Sequence, residues 1–422
     1  MRLISMLAVA AVLIAAPAAA ETMIIHADAV VVDAASAARG QSTVTVTDGR
    51  IVSIQDGWVD GPAGSTMIHL AGKTLVPGLV DLHVHLTGDP GGDFWKDAVE
   101  PEEWGVVVGA KNARLTALAG FTTVREAGSA QHTAFSLRRG TEEGLVAGPR
   151  IVAAGPAIAI VGGHADANGF RPEINEVLSS GYTCTGAVEC AAKVRLASQN
   201  GADVIKITAT GGVLSQQGRG LEAHFTPAEM KAIADTAHSL GLKVMAHAHG
   251  ARGIQQAAEA GIDSIEHGTY LDEAAAKAMK ANGTVLVPTL MALEGVSEGL
   301  GKGVYTPVVE DKIRAVQPLM ASLVSRARQY GVTVAFGTDA GVYQHGRNGE
   351  ELGLMKKQGM SDRDVLASAT TVAAKVLGME SQIGKLAPGY SADIIAVDGN
   401  PLADVTVLED VGFVMVRGRV IE

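Results

Sequence analysis

From Thr22 to Leu75 the chain alternates apolar and polar residues in short runs: Met23-Ile24-Ile25-His26-Ala27, Val30-Val31-Val32, Thr43-Val44-Thr45-Val46 and Ile51-Val52-Ser53-Ile54. A period of two marks half-buried strands, and Asp48-Gly49 before the last run marks a hairpin. The C-terminal segment returns to this style with Asp393–Val397 and Phe413–Val416. Two such segments at opposite ends predict a small β-sandwich domain built from both chain ends, residues 21–78 plus 386–422. Two unrelated edge hairpins are the alternative.

Between Pro77 and Lys385 apolar strand-length runs alternate with helical periods, the pattern of βα units and a parallel sheet. The expected strands are Leu79–Leu86, Thr122–Glu126, Arg150–Ala154, Asp203–Thr208, Lys243–His247, Ser264–His267, Val285–Thr289 and Thr333–Asp339. The intervening helices include Pro227–Leu240, Ala251–Ala260, Glu273–Ala281, Val308–Tyr330 and Asp362–Leu377. Thr226-Pro227-Ala228-Glu229 supplies an N-cap, an N1 proline and a capping-box acid in order. Eight units in residues 79–385 predict an α/β fold of (β/α)8 TIM-barrel type. An open doubly wound sheet is the alternative, but no Gly-x-Gly-x-x-Gly follows the first strand.

Residues 1–20 follow a different pattern, with Arg2, an apolar run from Leu7 to Ala16 and small residues at Ala18 and Ala20. This predicts a secretory signal peptide and an exported, periplasmic protein without membrane insertion after cleavage. A formal charge of −11 without a basic cluster argues against nucleic acid as a partner. Cys184 and Cys190 are the only cysteines. In an oxidising compartment they are expected to form a disulfide, with free thiols or half of a metal site as alternatives.

In a barrel, chemistry belongs at the C-terminal ends of the strands. Unusual polar residues collect there: His83 and His85 end strand one, Lys206 sits in strand four, His247 ends strand five, His267 ends strand six and Asp339 ends strand eight. An inward-facing lysine between isoleucines is costly unless its charge is altered or paired.

Asp81-Leu82-His83-Val84-His85, the isolated Lys206, Ala246-His247-Ala248-His249, Glu266-His267-Gly268 and Gly337-Thr338-Asp339 together resemble the amidohydrolase superfamily of metal-dependent barrel hydrolases. The resemblance runs from about Met23 to Ile421. It is nearest to the imidazolonepropionase-like branch with Xaa-Pro and Xaa-Arg dipeptidases and ochratoxin-hydrolysing carboxypeptidase-like enzymes. It implies two divalent metal ions, with His83, His85 and Asp339 on one, His247 and His267 on the other, and Lys206, carboxylated by carbon dioxide, bridging them. Histidine nitrogen with carboxylate oxygen suits zinc.

The resemblance further implies hydrolysis of an amide bond in a dipeptide or N-acyl amino acid by a hydroxide held between the metals, with Asp339 moving the proton. His164, in a glycine turn after strand three, resembles a histidine that polarises the carbonyl; an exposed loop histidine is the alternative. His249, on the same side as His247, is a contact to substrate or a surplus ligand. Arg219, His224, Arg252 and Tyr343 are candidate contacts to a substrate carboxylate or elsewhere in the pocket. A homo-oligomer is also implied. A cyclic-amide or imidazolone hydrolase and a non-catalytic exported metal-binding protein are the other readings; a deaminase is disfavoured by Lys206.

Overall fold

The computed structural model describes residues 21–91, 94–216 and 220–422. The expected leader, residues 1–20, and Arg219 lie outside the described residues. The chain opens with strands β1 (Thr22–Val30), β2 (Ser42–Thr47), β3 (Arg50–Asp56) and β4 (Thr66–Pro77). Parallel strands follow as β5 (Leu79–Val84), β6 (Phe121–Glu126), β7 (Arg150–Ala153), β8 (Val204–Thr208), β9 (Lys243–Ala248), β10 (Ser264–His267) and β11 (Val285–Val287). The C-terminal segment adds β12 (Ile394–Asp398), β13 (Val411–Val416) and β14 (Arg419–Val420).

Both chain ends enter one seven-stranded sheet in the order β14-β13-β12-β4-β1-β2-β3. β4 runs parallel to β1 and antiparallel to β12. The sheet curls until its edge hairpins touch: a Cβ on Gly49 would lie 2.6 Å from the carbonyl oxygen of Arg417. Its inward residues, among them Ile25, Val44, Leu75, Ile394 and Met415, form a core of their own. The alternation of apolar and polar positions thus orients one face of β1 and β2 inward, as the burial of Ile25, Val44 and Val46 shows.

The parallel strands form two ladders, β5-β6-β7 and β8-β9-β10-β11. Isolated parallel bridges join the remaining edges: Ile158 to Ile207, Leu286 to Val334, and Val84 to Ala340. The segment expected as an eighth strand, Thr333–Asp339, is not a ladder. Its Phe336 N–H goes to the carbonyl of Ser368 rather than to a neighbouring strand, and Asp339 turns into the left-handed region at φ 62°. Asp81 holds this irregular segment to β5, accepting from the N–H of His83 and Thr338 and from the Thr338 and Asn348 side chains. The approach is close: a Cβ on Gly337 would meet Val287 Cγ1 at 2.3 Å and His83 N at 3.2 Å.

The helix expected over Val308–Tyr330 is two, Pro307–Met320 and Leu323–Tyr330. Pro318 withholds an N–H in the last turn of the first, and Ser322, at φ −132°, starts the second. Asp362–Leu377 runs as α-helix interrupted by a π-helical turn, Ser368–Val372. Helix Pro227–Ser239 carries the full capping box at Thr226 and Glu229. Cys184 and Cys190 form a disulfide. Among the described residues no helix is long and apolar enough to cross a membrane.

Candidate metal centre

Asp81, His83 and His85 lie two residues apart along one extended stretch and share a side; His247 and His249 do the same at the end of β9. Two groups of donors result, His83 with His85 and Asp339, and His247 with His249 and His267, each with its ligand atoms within 4.8 Å of one another. The groups adjoin, since the rings of His83 and His267 are 5.2 Å apart. Lys206 is buried beside them, with Nζ 3.3 Å from His83 Nε2.

In the first group Asp339 Oδ1 is buried, has no hydrogen-bond partner, and lies 3.4 Å from both His83 Nε2 and His85 Nε2. A carboxylate oxygen left in this way is costly unless something cationic fills the space between the three atoms. The rings are held from behind. His83 Nδ1 is 2.9 Å from Glu266 Oε2, and Arg125 binds the other oxygen of Glu266 at 2.9 Å while donating to the carbonyl of Leu82. His85 Nδ1 is 2.8 Å from the carbonyl oxygen of Gly128. Both histidines therefore carry the proton on Nδ1 and direct a lone pair on Nε2 toward Asp339.

The second group is backed by neutral partners. His249 Nδ1 meets Thr269 Oγ1 and His267 Nδ1 meets Thr289 Oγ1, each at 2.7 Å. His247 uses its other nitrogen, Nε2 donating to the carbonyl of Gly211 at 3.2 Å, which leaves Nδ1 as its lone pair. His164 packs against the group, its ring 4.2 Å from that of His247 and tilted by 39°, with Nδ1 2.6 Å from Ser215 Oγ. A Cβ on Gly212 would collide with the His164 ring at 2.2 Å, so glycine is required where this loop crosses it.

Burial and then neighbouring positive charge push His83, His247 and His267 far below the ordinary imidazole value. The same causes bring His164 to about 3, and burial with the charge of Lys312 does so for His249. These rings are neutral and able to bind metal. His85 differs: burial opposes its charge, but the carboxylates of Asp339 and Glu126 raise its pKa above the usual 6.5. Burial lowers the Lys206 ammonium to about 8 against the pull of Glu266 and Asp339, and lifts Glu126 to about 7.

The structure thus brings together His83, His85, Lys206, His247, His249, His267, Asp339 and His164. It does not bring Arg252 to them; that side chain is exposed in the first turn of helix Ala251–Ala260. Tyr343 is buried with its hydroxyl unpartnered. His224 is partly buried behind the loop that crosses His164, with Nε2 3.3 Å from where a Gly211 Cβ would be. Sequence reasoning gave no role to Arg125, Glu126 and Glu266. Each interrupts an apolar strand, and in Glu266 the acid directly precedes a ligand, which is the signal that marks them. Lys312 was missed too; it fastens the loop after Lys206, donating to the carbonyls of Gly212 and Ser215.

Comparison with known proteins places these features. The amidohydrolase family matches residues 74–421. The ochratoxinase of Aspergillus niger is 32% identical over 359 residues, covering 80% of this chain and 72% of that protein. The imidazolonepropionase of Hahella chejuensis is 32% identical over 182 residues, 41% of this chain and 40% of that one. A crystal structure of a Xaa-Pro dipeptidase with methionine bound in the active site is 37% identical, with a TM-score of 0.88 over 95% of this chain and 100% of that one.

Proposed function

The chain belongs to the amidohydrolase family and is a metal-dependent hydrolase of amide bonds, and from that premise we propose an exported enzyme that uses two divalent ions to cleave a dipeptide or N-acyl amino acid. The observation that carries the two-ion reading is the pair of adjoining donor groups, one of them closed by the unpartnered Asp339 oxygen, with Lys206 buried beside them. His83, His85 and Asp339 would hold one ion, and His247 and His267 the other. Lys206 would bridge them as its carbamate, which turns a buried cation into an anionic oxygen donor. Zinc fits the imidazole and carboxylate set. When bound, the metals supply a water of lowered pKa and polarise the scissile carbonyl.

This chain's own residues supply the remainder. Asp339, whose Oδ1 has no hydrogen-bond partner, accepts the proton of the attacking water and returns it to the leaving amine. His164 Nδ1 lies 2.6 Å from Ser215 Oγ; with that hydroxyl as donor, the ring would keep its proton on Nε2 and present it to the substrate carbonyl oxygen. His249, the third member of the second group, is a further donor to the substrate or a third nitrogen for the ion.

Closure of the parallel strands into an eight-membered barrel is supported by the three single bridges between the ladders. Residues 79–385 would form that barrel, and residues 21–78 with 386–422 the appended β-domain. Export is supported by the disulfide and the leader pattern. The substrate class follows the amides named for the similar ochratoxinase and dipeptidase, and assembly into homo-oligomers is part of the same reading. Hydrolysis of a cyclic amide is the second reading, favoured by the match to imidazolonepropionase over part of the chain.

Mass spectrometry of products from a mixed library of dipeptides, N-acyl amino acids and cyclic ureides, run with and without chelator, decides between them. Chelator-sensitive release of a free amino acid is expected, and turnover of cyclic ureides alone moves the assignment to the second reading. Full amidase activity in Lys206→Ala, or no divalent metal in the purified protein, removes the two-metal proposal.

A further inference from the structure

Thr289 occupies the N-cap position of helix Leu290–Ser297. A threonine there ordinarily turns its hydroxyl onto the unsatisfied N–H groups of the first turn. Thr289 makes no such bond. Its Oγ1 lies 2.7 Å from His267 Nδ1 instead. The helix start is satisfied from elsewhere in the chain. Glu351, fully buried in helix Glu350–Lys357, accepts from Leu290 N at 3.0 Å through Oε1 and from Met291 N at 2.7 Å through Oε2.

The exchange of partners has a backbone counterpart. Thr289 has φ 48° and ψ 51°, a left-handed conformation that a β-branched residue adopts only when its surroundings impose it. Two consecutive N–H groups clamped on one carboxylate fix the chain directly after that residue. They thereby determine where its hydroxyl points. With Nδ1 of His267 held by that hydroxyl, Nε2 is the nitrogen left to bind a metal.

We propose that Glu351 is a positioning residue for His267: by capping the helix in place of Thr289, it releases the Thr289 hydroxyl to orient the imidazole. The inference rests on the reading of His267 as a metal ligand. A carboxylate that merely caps a helix would contribute to stability and leave the metal untouched. The two roles separate in a double-mutant cycle, because a residue acting through Thr289 has nothing to act on once the hydroxyl is gone.

The test is a competition titration of Zn²⁺ against a chromogenic chelator for metal-free wild type, Thr289→Val, Thr289→Ser, Glu351→Gln and the Thr289→Val/Glu351→Gln double variant. Cobalt spectra report the ligand field and circular dichroism reports the fold. Thr289→Val and Glu351→Gln should each weaken one of the bound ions by about 10-fold or more, the range for a group that orients a ligand. Thr289→Ser should bind as wild type does, and the double variant no more weakly than Thr289→Val. Wild-type affinity in Thr289→Val, or additive losses in the double variant, overturns the proposal. If Glu351→Gln does not fold, Glu351→Asp, which keeps the carboxyl group and shortens its reach, replaces it in the cycle. Wild type that binds no divalent ion at all instead removes the reading of His267 as a ligand, a separate outcome.

Discussion

The two donor groups use nearly the same side chains and differ in what stands behind them. His83, His85 and Asp339 are surrounded by charge: Glu266 on His83, Glu126 3.9 Å from His85, and the Asp339 carboxylate itself, with Arg125 offsetting part of it. His247, His249 and His267 are backed by a carbonyl and two hydroxyls. A carboxylate behind an imidazole makes it more basic and a better ligand, whereas a hydroxyl orients it and adds little charge. The first group should therefore hold its ion tightly and in competition with protons, and the second should hold its ion more weakly across a wider pH range.

The largest effect tests the charged side of this contrast. Asp339→Asn should lower kcat by roughly 10³-fold, within the range for a proton-transferring group, and remove ion from the first group by elemental analysis. Wild-type turnover in that variant would dissolve the distinction altogether. Glu266→Gln should weaken the tighter ion by about 10–100-fold in a chelator competition while leaving the weaker one unchanged. Equal losses from both would mean that the groups act as one site.

The pH dependence sharpens the contrast further. The Asp339 and Glu126 carboxylates raise the His85 pKa against the opposing effect of burial, so an ion must displace a proton to reach it once pH falls through that raised value. Affinity of the first group should then fall as pH falls, by about 10-fold per unit for one displaced proton. His249, near 3, carries no proton to displace between pH 5 and 8, and burial with neighbouring positive charge holds His247 and His267 well below the ordinary imidazole value. Zinc titrations at several pH values would read the two slopes; parallel slopes would refute the distinction. The smallest effect belongs to Thr269→Val, which removes the hydroxyl behind His249. A loss of no more than about 10-fold, confined to the weaker ion, is expected in the same titration.

Much of this was legible in the sequence because metal ligands in apolar strands are conspicuous. His83, Lys206, His247 and His267 each break or end a buried run, and β5 through β11 start and stop within a few residues of where those runs do. The eighth segment read only in part: it bonds to Leu286 on one side and to Leu82 and His83 on the other, without a continuous ladder. Its apolar residues resemble a strand, but the left-handed turn at Asp339 and the Phe336 bond to Ser368 are tertiary and leave no period behind. Thr269, Thr289 and Glu351 were invisible for a related reason. A hydroxyl in a turn and an acid in a helix are ordinary residues until the fold sets them against a histidine or a helix start remote in sequence.

The sheet shared by the two chain ends has a consequence for biosynthesis. β4 is complete at Pro77, but its antiparallel neighbour begins only at Ile394. At about 5–20 residues per second, the β4 edge waits on the order of tens of seconds for that neighbour to be translated. Throughout that interval residues Lys73–Pro77, the part of β4 that β12 covers, present unpaired backbone groups to any other nascent chain. The hazard is set by the order of translation and ends when β12 docks, so a chaperone would matter here during synthesis, not in the finished enzyme.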